Sequence, residues 1–147
     1  MSGQKQERIE RTEIDKNDEV GSPNRYILED ETYAIIGAAM EVYYKLGNGF
    51  AEPVYQEALG IEFELRDVLF EPQKRLHIEY KGRNLEKGYI ADFICFGEII
   101  VEIKAINGLS PVDWSQVMNY LKASKLRVGL LFNFGSHGKM EMKRVVI

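Results

Sequence analysis

The sequence predicts an α/β domain, a mixed sheet flanked by helices, with elements in the order ααβββαββ. Three observations predict it. Over two early stretches the apolar residues recur at three and four, the helical period. Further on they gather into runs of strand length bounded by Gly, Asn and Pro. Between two of these runs lies one more helix-period segment, long enough to cross over and leave its flanking strands parallel. At 147 residues, with 45% hydrophobic and 29% charged side chains, the chain has the size and composition of one cored domain.

Residues 1–25 carry five basic and six acidic side chains and few apolar ones, and Ser22-Pro23-Asn24 punctuates their end. They read as a flexible charged tail, with at most a marginal helix over residues 6–14, ahead of a domain at 26–147. The first helix is expected over residues 30–46, with Tyr33, Ile36, Gly37, Met40, Val42, Tyr43 and Leu46 as its stripe and Gly47-Asn48-Gly49 as its stop. A second is expected over 52–67, with Pro53 in its first turn and Val54, Tyr55, Ala58, Leu59, Ile61, Phe63 and Leu65 facing inward. Glu52 stands at its start, where the helix dipole favours an anion, and Tyr55, one turn on, faces the same way.

Residues 69–72 read as a connector and a short strand, followed by a strand over 74–81 with one wet face that holds His77. His77 is expected to face solvent rather than to bind a ligand. A turn at 81–84 leads to two central strands within residues 89–104. A helix from 111 or 112 to about 123 follows, with Trp114, Val117, Met118 and Leu121 apolar and Gln116 and Tyr120 sharing a face. Strands over 126–132 and 140–147, joined by a Gly-rich turn with an exposed His137, complete the order.

Nothing approaches the ~20 apolar residues of a membrane span, and the N-terminal stretch lacks a secretory apolar core. A single cysteine, Cys95, fits a reducing cytoplasm and reads as a packing thiol in an apolar strand. The expected location is cytoplasmic, without a membrane partner. The net charge of −4 does not advertise nucleic-acid binding, but a local basic patch would suffice for it.

The chemistry concentrates in Tyr89-Ile-Ala-Asp-Phe-Ile-Cys-Phe-Gly-Glu-Ile-Ile-Val-Glu-Ile-Lys104. Asp92, Glu102 and Lys104 are set into apolar strands, where charged side chains are rare unless paired or bound to a metal. Glu102 and Lys104, two apart, share a face. A three-residue loop, Phe96-Gly97-Glu98, would put Asp92 directly across from Glu102. Two carboxylates could then hold a hard divalent cation, with a lysine for an anion beside it. A buried structural ion pair accounts for the stretch equally well. Glu-x-Lys occurs three times in the sequence, and about two occurrences are expected by chance. The copies at Glu79 and Glu141 lie in polar-rich surroundings and read as solvated faces.

Gly49-Phe-Ala-Glu52-Pro-Val-Tyr55 matches the Gly-x-x-Glu-x-x-Tyr signature, and the chain resembles the GxxExxY family. The resemblance runs from about Tyr33 to Val146 through Asp92, Glu102-Ile-Lys104, Gln116-Val-Met-Asn-Tyr120 and the run Val128-Gly-Leu-Leu-Phe-Asn-Phe-Gly135. That family is similar to the PD-(D/E)xK nucleases, in the RecB-type and lambda-exonuclease-like branch. The resemblance implies a restriction-endonuclease-like core and Mg²⁺- or Mn²⁺-dependent hydrolysis of DNA. It implies Glu52, Asp92, Glu102 and the Ile103 carbonyl as metal ligands, and Asp92, Glu102, Lys104, Gln116 and Tyr120 as catalytic residues. The proline of the superfamily name is absent, since Ala91 precedes Asp92.

A basic rim for DNA could come from Lys122, Lys125 and Arg127, or from Arg75, Lys81, Arg83 and Lys87. Trp114 could stack on a base, although a core position suits it better. The alternative function is a catalytically idle nuclease-like module that binds nucleic acid or protein. The small size and missing basic excess leave room for a homo-oligomer or a protein partner.

Overall fold

The computed structural model describes residues 27–147. The expected tail, with its marginal helix, lies outside the described residues. Two helices, α1 (Glu29–Leu46) and α2 (Glu52–Leu65), come first. They are followed by β1 (Phe70–Leu76), a two-stranded excursion of β2 (Glu79–Tyr80) and β3 (Arg83–Asn84), and the central hairpin of β4 (Tyr89–Cys95) and β5 (Ile99–Lys104). Helix α3 (Pro111–Ser124), β6 (Val128–Asn133) and β7 (Glu141–Val146) follow. The main sheet runs β1-β4-β5-β6-β7, and only the β5–β6 pair is parallel. The crossover that makes it parallel is α3, as its length requires.

The sheet lies between two layers. Helices α1 and α2 pack through Ile35, Ile36, Ala39, Tyr55, Leu59 and Phe63 onto Phe93, Val101, Ile103, Leu130 and Phe132. On the other face, Val117 and Leu121 of α3 pack onto Ile94, Ile100, Leu131 and Val145. Covered from both sides, β6 is buried at all six positions, which explains its unbroken apolar run. Helix α3 sits close to β6 because residue 129 is glycine: a Cβ there would stand 2.6 Å from Val117 Cγ1.

Several local expectations need correction. The connector and short strand expected at 69–72 and the strand expected over 74–81 are replaced by one strand, which ends at Leu76. Pro72 is tolerated in it because β1 is at the edge of the sheet. The chain beyond Leu76 leaves the sheet, and the 81–84 turn becomes the tip of a small hairpin, with Lys81 and Gly82 both at positive φ. The buried stripe of α2 is narrower than its apolar positions suggest. Tyr55, Leu59 and Phe63 are buried, whereas Ile61 and Leu65 are 53% and 74% exposed. Glu141 is not a solvated residue: its carboxylate accepts from the Leu109 amide and from Asn133 Nδ2. Cys95 is buried, as expected, and burial pushes its thiol up to about 12. His77 and His137 are exposed.

Candidate active site

The site lies where β4 and β5 part. Their ladder pairs Cys95 with Ile99, Ile94 with Ile100 and Phe93 with Val101. The loop is therefore Phe96-Gly97-Glu98, and Gly97 takes a positive φ of 68°. That register points Asp92 at Glu102, but the backbone ladder stops one step short of them. The Asp92 carboxylate instead accepts the Ile103 amide at 2.8 Å, a side chain standing in for a strand's backbone. On the other side of β4, the pairing to β1 skips the same position, and the facing residue, Gln73, has φ 50°.

Side-chain alternation breaks at this point. Phe93 and Cys95 pack with the α1–α2 layer, whereas Ala91 and Tyr89, of the same parity, pack with the α3 layer. The kink at Asp92 thus turns Tyr89 toward the face that carries Glu102. The expected direct opposition of Asp92 and Glu102 becomes a sideways approach, because Asp92 is drawn into the plane of the sheet.

Glu102 is largely buried, and its Oε1 has no hydrogen-bond partner among the described residues. Burial first, then the charge and a shared hydrogen bond of Asp92, push its carboxyl well above the usual range. A backbone hydrogen bond at Asp92 and the Lys104 ammonium oppose that rise. Among the described residues, Lys104 makes no ion pair with either acid, so the expected close contact of three charges is looser than a salt bridge. Glu52, exposed at the first position of α2 in the opposite layer, belongs to the same field. Burial and then Asp92 raise its carboxyl, and Lys104 lowers it.

Tyr55 explains how Glu52 is held. It does not share Glu52's outward direction: its ring is fully buried and stacks on Phe134, with centroids 4.7 Å apart. Its hydroxyl donates to the Gly47 carbonyl at 2.6 Å and accepts from the Phe50 amide at 3.2 Å. The loop that delivers Glu52 is thereby fastened to the core.

From α3, Tyr120 stacks on Tyr89, with centroids 3.3 Å apart and planes at 11°. Burial, then the charges of Glu102 and Asp92, raise the Tyr120 hydroxyl. Gln116 is exposed one turn earlier on the same helix. Trp114 packs with the α3 layer, and the Lys143 ammonium lies 5.5 Å from its ring centre, so it is not a free stacking platform. Tyr89 is absent from the residues singled out by sequence. Alternation would put it on the face opposite Asp92, and only the kink brings it in.

Asn133 and Glu141 set the approach to α3. Buried Asn133 accepts from the Ile106 and Gly135 amides and donates to the Ile106 carbonyl and to Glu141. The Ser110 amide donates to Asp113 at 2.8 Å, closing the first turn of α3. These bonds fix the loop between Lys104 and the helix that carries Tyr120.

Comparison with known proteins decides the family. A model described as the PD-(D/E)XK nuclease superfamily matches residues 29–145. The chain belongs to that superfamily. The match spans the site from α1 to β7 and accords with the mixed sheet and its flanking helices. No curated protein matches. Among solved structures, the chain resembles the crystal structure of SSO0001 at 17% identity and a TM-score of 0.47, over 94% of this chain and 77% of that one.

The donor set fits a divalent cation only in part. Among the described residues, no three His, Cys, Asp or Glu side chains form a ready-made cage. The set is instead a carboxylate pair with one buried oxygen unpartnered and a third acid within electrostatic reach. Mg²⁺ keeps several waters and takes one or two carboxylates, so the pair fits such an ion. No helix among the described residues is long and apolar enough to cross a membrane.

Proposed function

We propose that this PD-(D/E)XK protein is a Mg²⁺- or Mn²⁺-dependent nuclease that hydrolyses DNA phosphodiester bonds, in the GxxExxY family and its RecB-type or lambda-exonuclease-like branch. One observation carries the reading: a half-buried Asp92 beside a largely buried Glu102 whose Oε1 is unpartnered, where two strands part beside Lys104. A fold that buries two like charges together loses stability unless something else satisfies them.

Asp92 and Glu102 would hold the ion, with Glu52 and the Ile103 carbonyl completing its protein ligands. When bound, the ion supplies an acidified water and offsets charge on the phosphate. Each side chain then has a distinct task. Asp92 spends one oxygen on the Ile103 amide, which fixes the direction of the other. Lys104, free of a direct ion pair with Asp92 or Glu102, offers its ammonium to a non-bridging phosphate oxygen and to the charge that grows there. Tyr120, whose hydroxyl keeps its proton, is a neutral donor on the α3 side of the cleft. Gln116, one turn away, contacts the substrate strand. Lys122 and Lys125, both exposed at the end of α3, supply charge for the backbone beyond the cut.

The test is cleavage of single- and double-stranded DNA with Mn²⁺ or Mg²⁺ by wild type, Lys104→Ala and Asp92→Asn, each shown to be folded. Metal-dependent cutting that both variants lose is the expected result. Equal cutting by all three would mark a contaminant and sink the assignment. Neither cutting nor metal binding would shift the reading to an idle module that binds nucleic acid or protein.

A further inference from the structure

Among the described residues, three buried side-chain atoms lack a hydrogen-bond partner: Thr32 Oγ1, Tyr89 Oη and Glu102 Oε1. Thr32 lies in the second turn of α1, in the layer opposite α3. The other two belong to one site. Tyr89 opens β4 three residues before Asp92, its ring is clamped against Tyr120, and among charges Glu102 acts most strongly on its hydroxyl. One atom is a phenol donor and the other a carboxylate acceptor, yet they are not bonded to each other. Buried polar groups are nearly always satisfied, so a donor and an acceptor left open on the same face of the sheet and electrostatically coupled mark the place of something small and polar.

We propose that Tyr89 is a positioning residue of this site, its hydroxyl donating to a water carried by the cation that Asp92 and Glu102 hold. The inference rests on the metal-dependent reading above. A water is the partner that the geometry favours over a phosphate. The Tyr89 hydroxyl is inaccessible from outside, beneath the Tyr120 ring, so it meets what rests on Glu102 and not what arrives from solvent. The stack serves this arrangement. It fixes the tyrosine ring from α3, so that the direction of the hydroxyl does not depend on the parted strand alone. Such partners of metal-bound groups typically change metal affinity or activity by about 10- to 100-fold.

Tyr89→Phe tests the proposal, because it keeps the stacked ring and deletes one oxygen. Melting temperature is measured in EDTA and through a Mn²⁺ titration, with Mn²⁺ as the only added ligand. The expected result is a melting temperature in EDTA equal to or above that of wild type, with Mn²⁺ affinity weakened about tenfold. DNA cleavage should fall at low Mn²⁺ and recover in part at high Mn²⁺. A lower melting temperature in EDTA, with or without weaker Mn²⁺ binding, would make the hydroxyl a structural prop and overturn the proposal. Unchanged affinity would overturn it as well. If Mn²⁺ does not raise the melting temperature of wild type, the metal reading itself falls and takes this inference with it.

Discussion

Replacing Glu102 with glutamine should stabilise the metal-free protein, and by more as the pH rises. Burial and the neighbouring Asp92 raise the folded carboxyl above its ordinary value of 4.5. Between the unfolded and folded values, the native state therefore holds a proton that the unfolded chain has released. The contribution of Glu102 is complete below the unfolded value and is lost as pH climbs through the folded one. At pH 7 that loss is capped: about 2.5 pH units above 4.5, at about 1.4 kcal/mol each, set a ceiling of about 3 kcal/mol. Glutamine does not titrate, and its amide can donate to Asp92, but it remains buried and polar. The net gain should be about 1–2 kcal/mol at pH 8 and close to zero at pH 5. Urea unfolding in EDTA at both pH values measures it. A variant less stable than wild type at pH 8, or a gap that does not widen with pH, would refute the buried-pair reasoning. With Mn²⁺ the order should reverse, because only wild type keeps both carboxylates for the ion.

Tyr55→Phe removes the hydroxyl that ties Gly47 and Phe50 together, and should cost about 1–2 kcal/mol in urea unfolding while lowering DNA cleavage through a loosened Glu52 loop. Gly129→Ala forces a methyl to within 2.6 Å of Val117 Cγ1; overpacking of about 1–3 kcal/mol is expected, and the displaced α3 should weaken the Tyr89–Tyr120 stack, visible in near-UV circular dichroism. Asn133→Ala strips four hydrogen bonds from a buried hub and should destabilise by about 3 kcal/mol, measured by thermal melting.

The pairing of the central hairpin was legible because a tight loop and a parity rule together fix a register: Gly97 marks the loop, and counting outward brings Asp92 toward Glu102. The crossover was legible in the same way, from a helix-period segment between two apolar strands. Alternation alone could not show that it fails at Asp92. It assumes a continuous strand, and here a side chain replaces a backbone partner while Gln73 opposite adopts a positive φ. Tyr89 was missed for that reason. Glu141 misled because polar neighbours suggest solvent, whereas its carboxylate serves amides from a loop distant in sequence, which no local pattern records. The α2 stripe came out too wide because an apolar residue at helical spacing need not be covered: Ile61 and Leu65 are exposed.

The hydrogen bond from the Ile103 amide to Asp92 also governs how mutants of this protein can be interpreted. A residue that is at once rivet and reagent cannot be assayed by truncation. Asp92→Ala would free a strand amide and delete a carboxylate in one stroke, and an inactive product would say nothing about which loss mattered. Asparagine separates the two, since its amide oxygen still accepts from Ile103 while the charge is gone. A scan restricted to alanine would assign this position to structure or to chemistry by accident of how far β5 relaxes, and the same ambiguity would follow any homologue in which an acid substitutes for a rung of its own sheet.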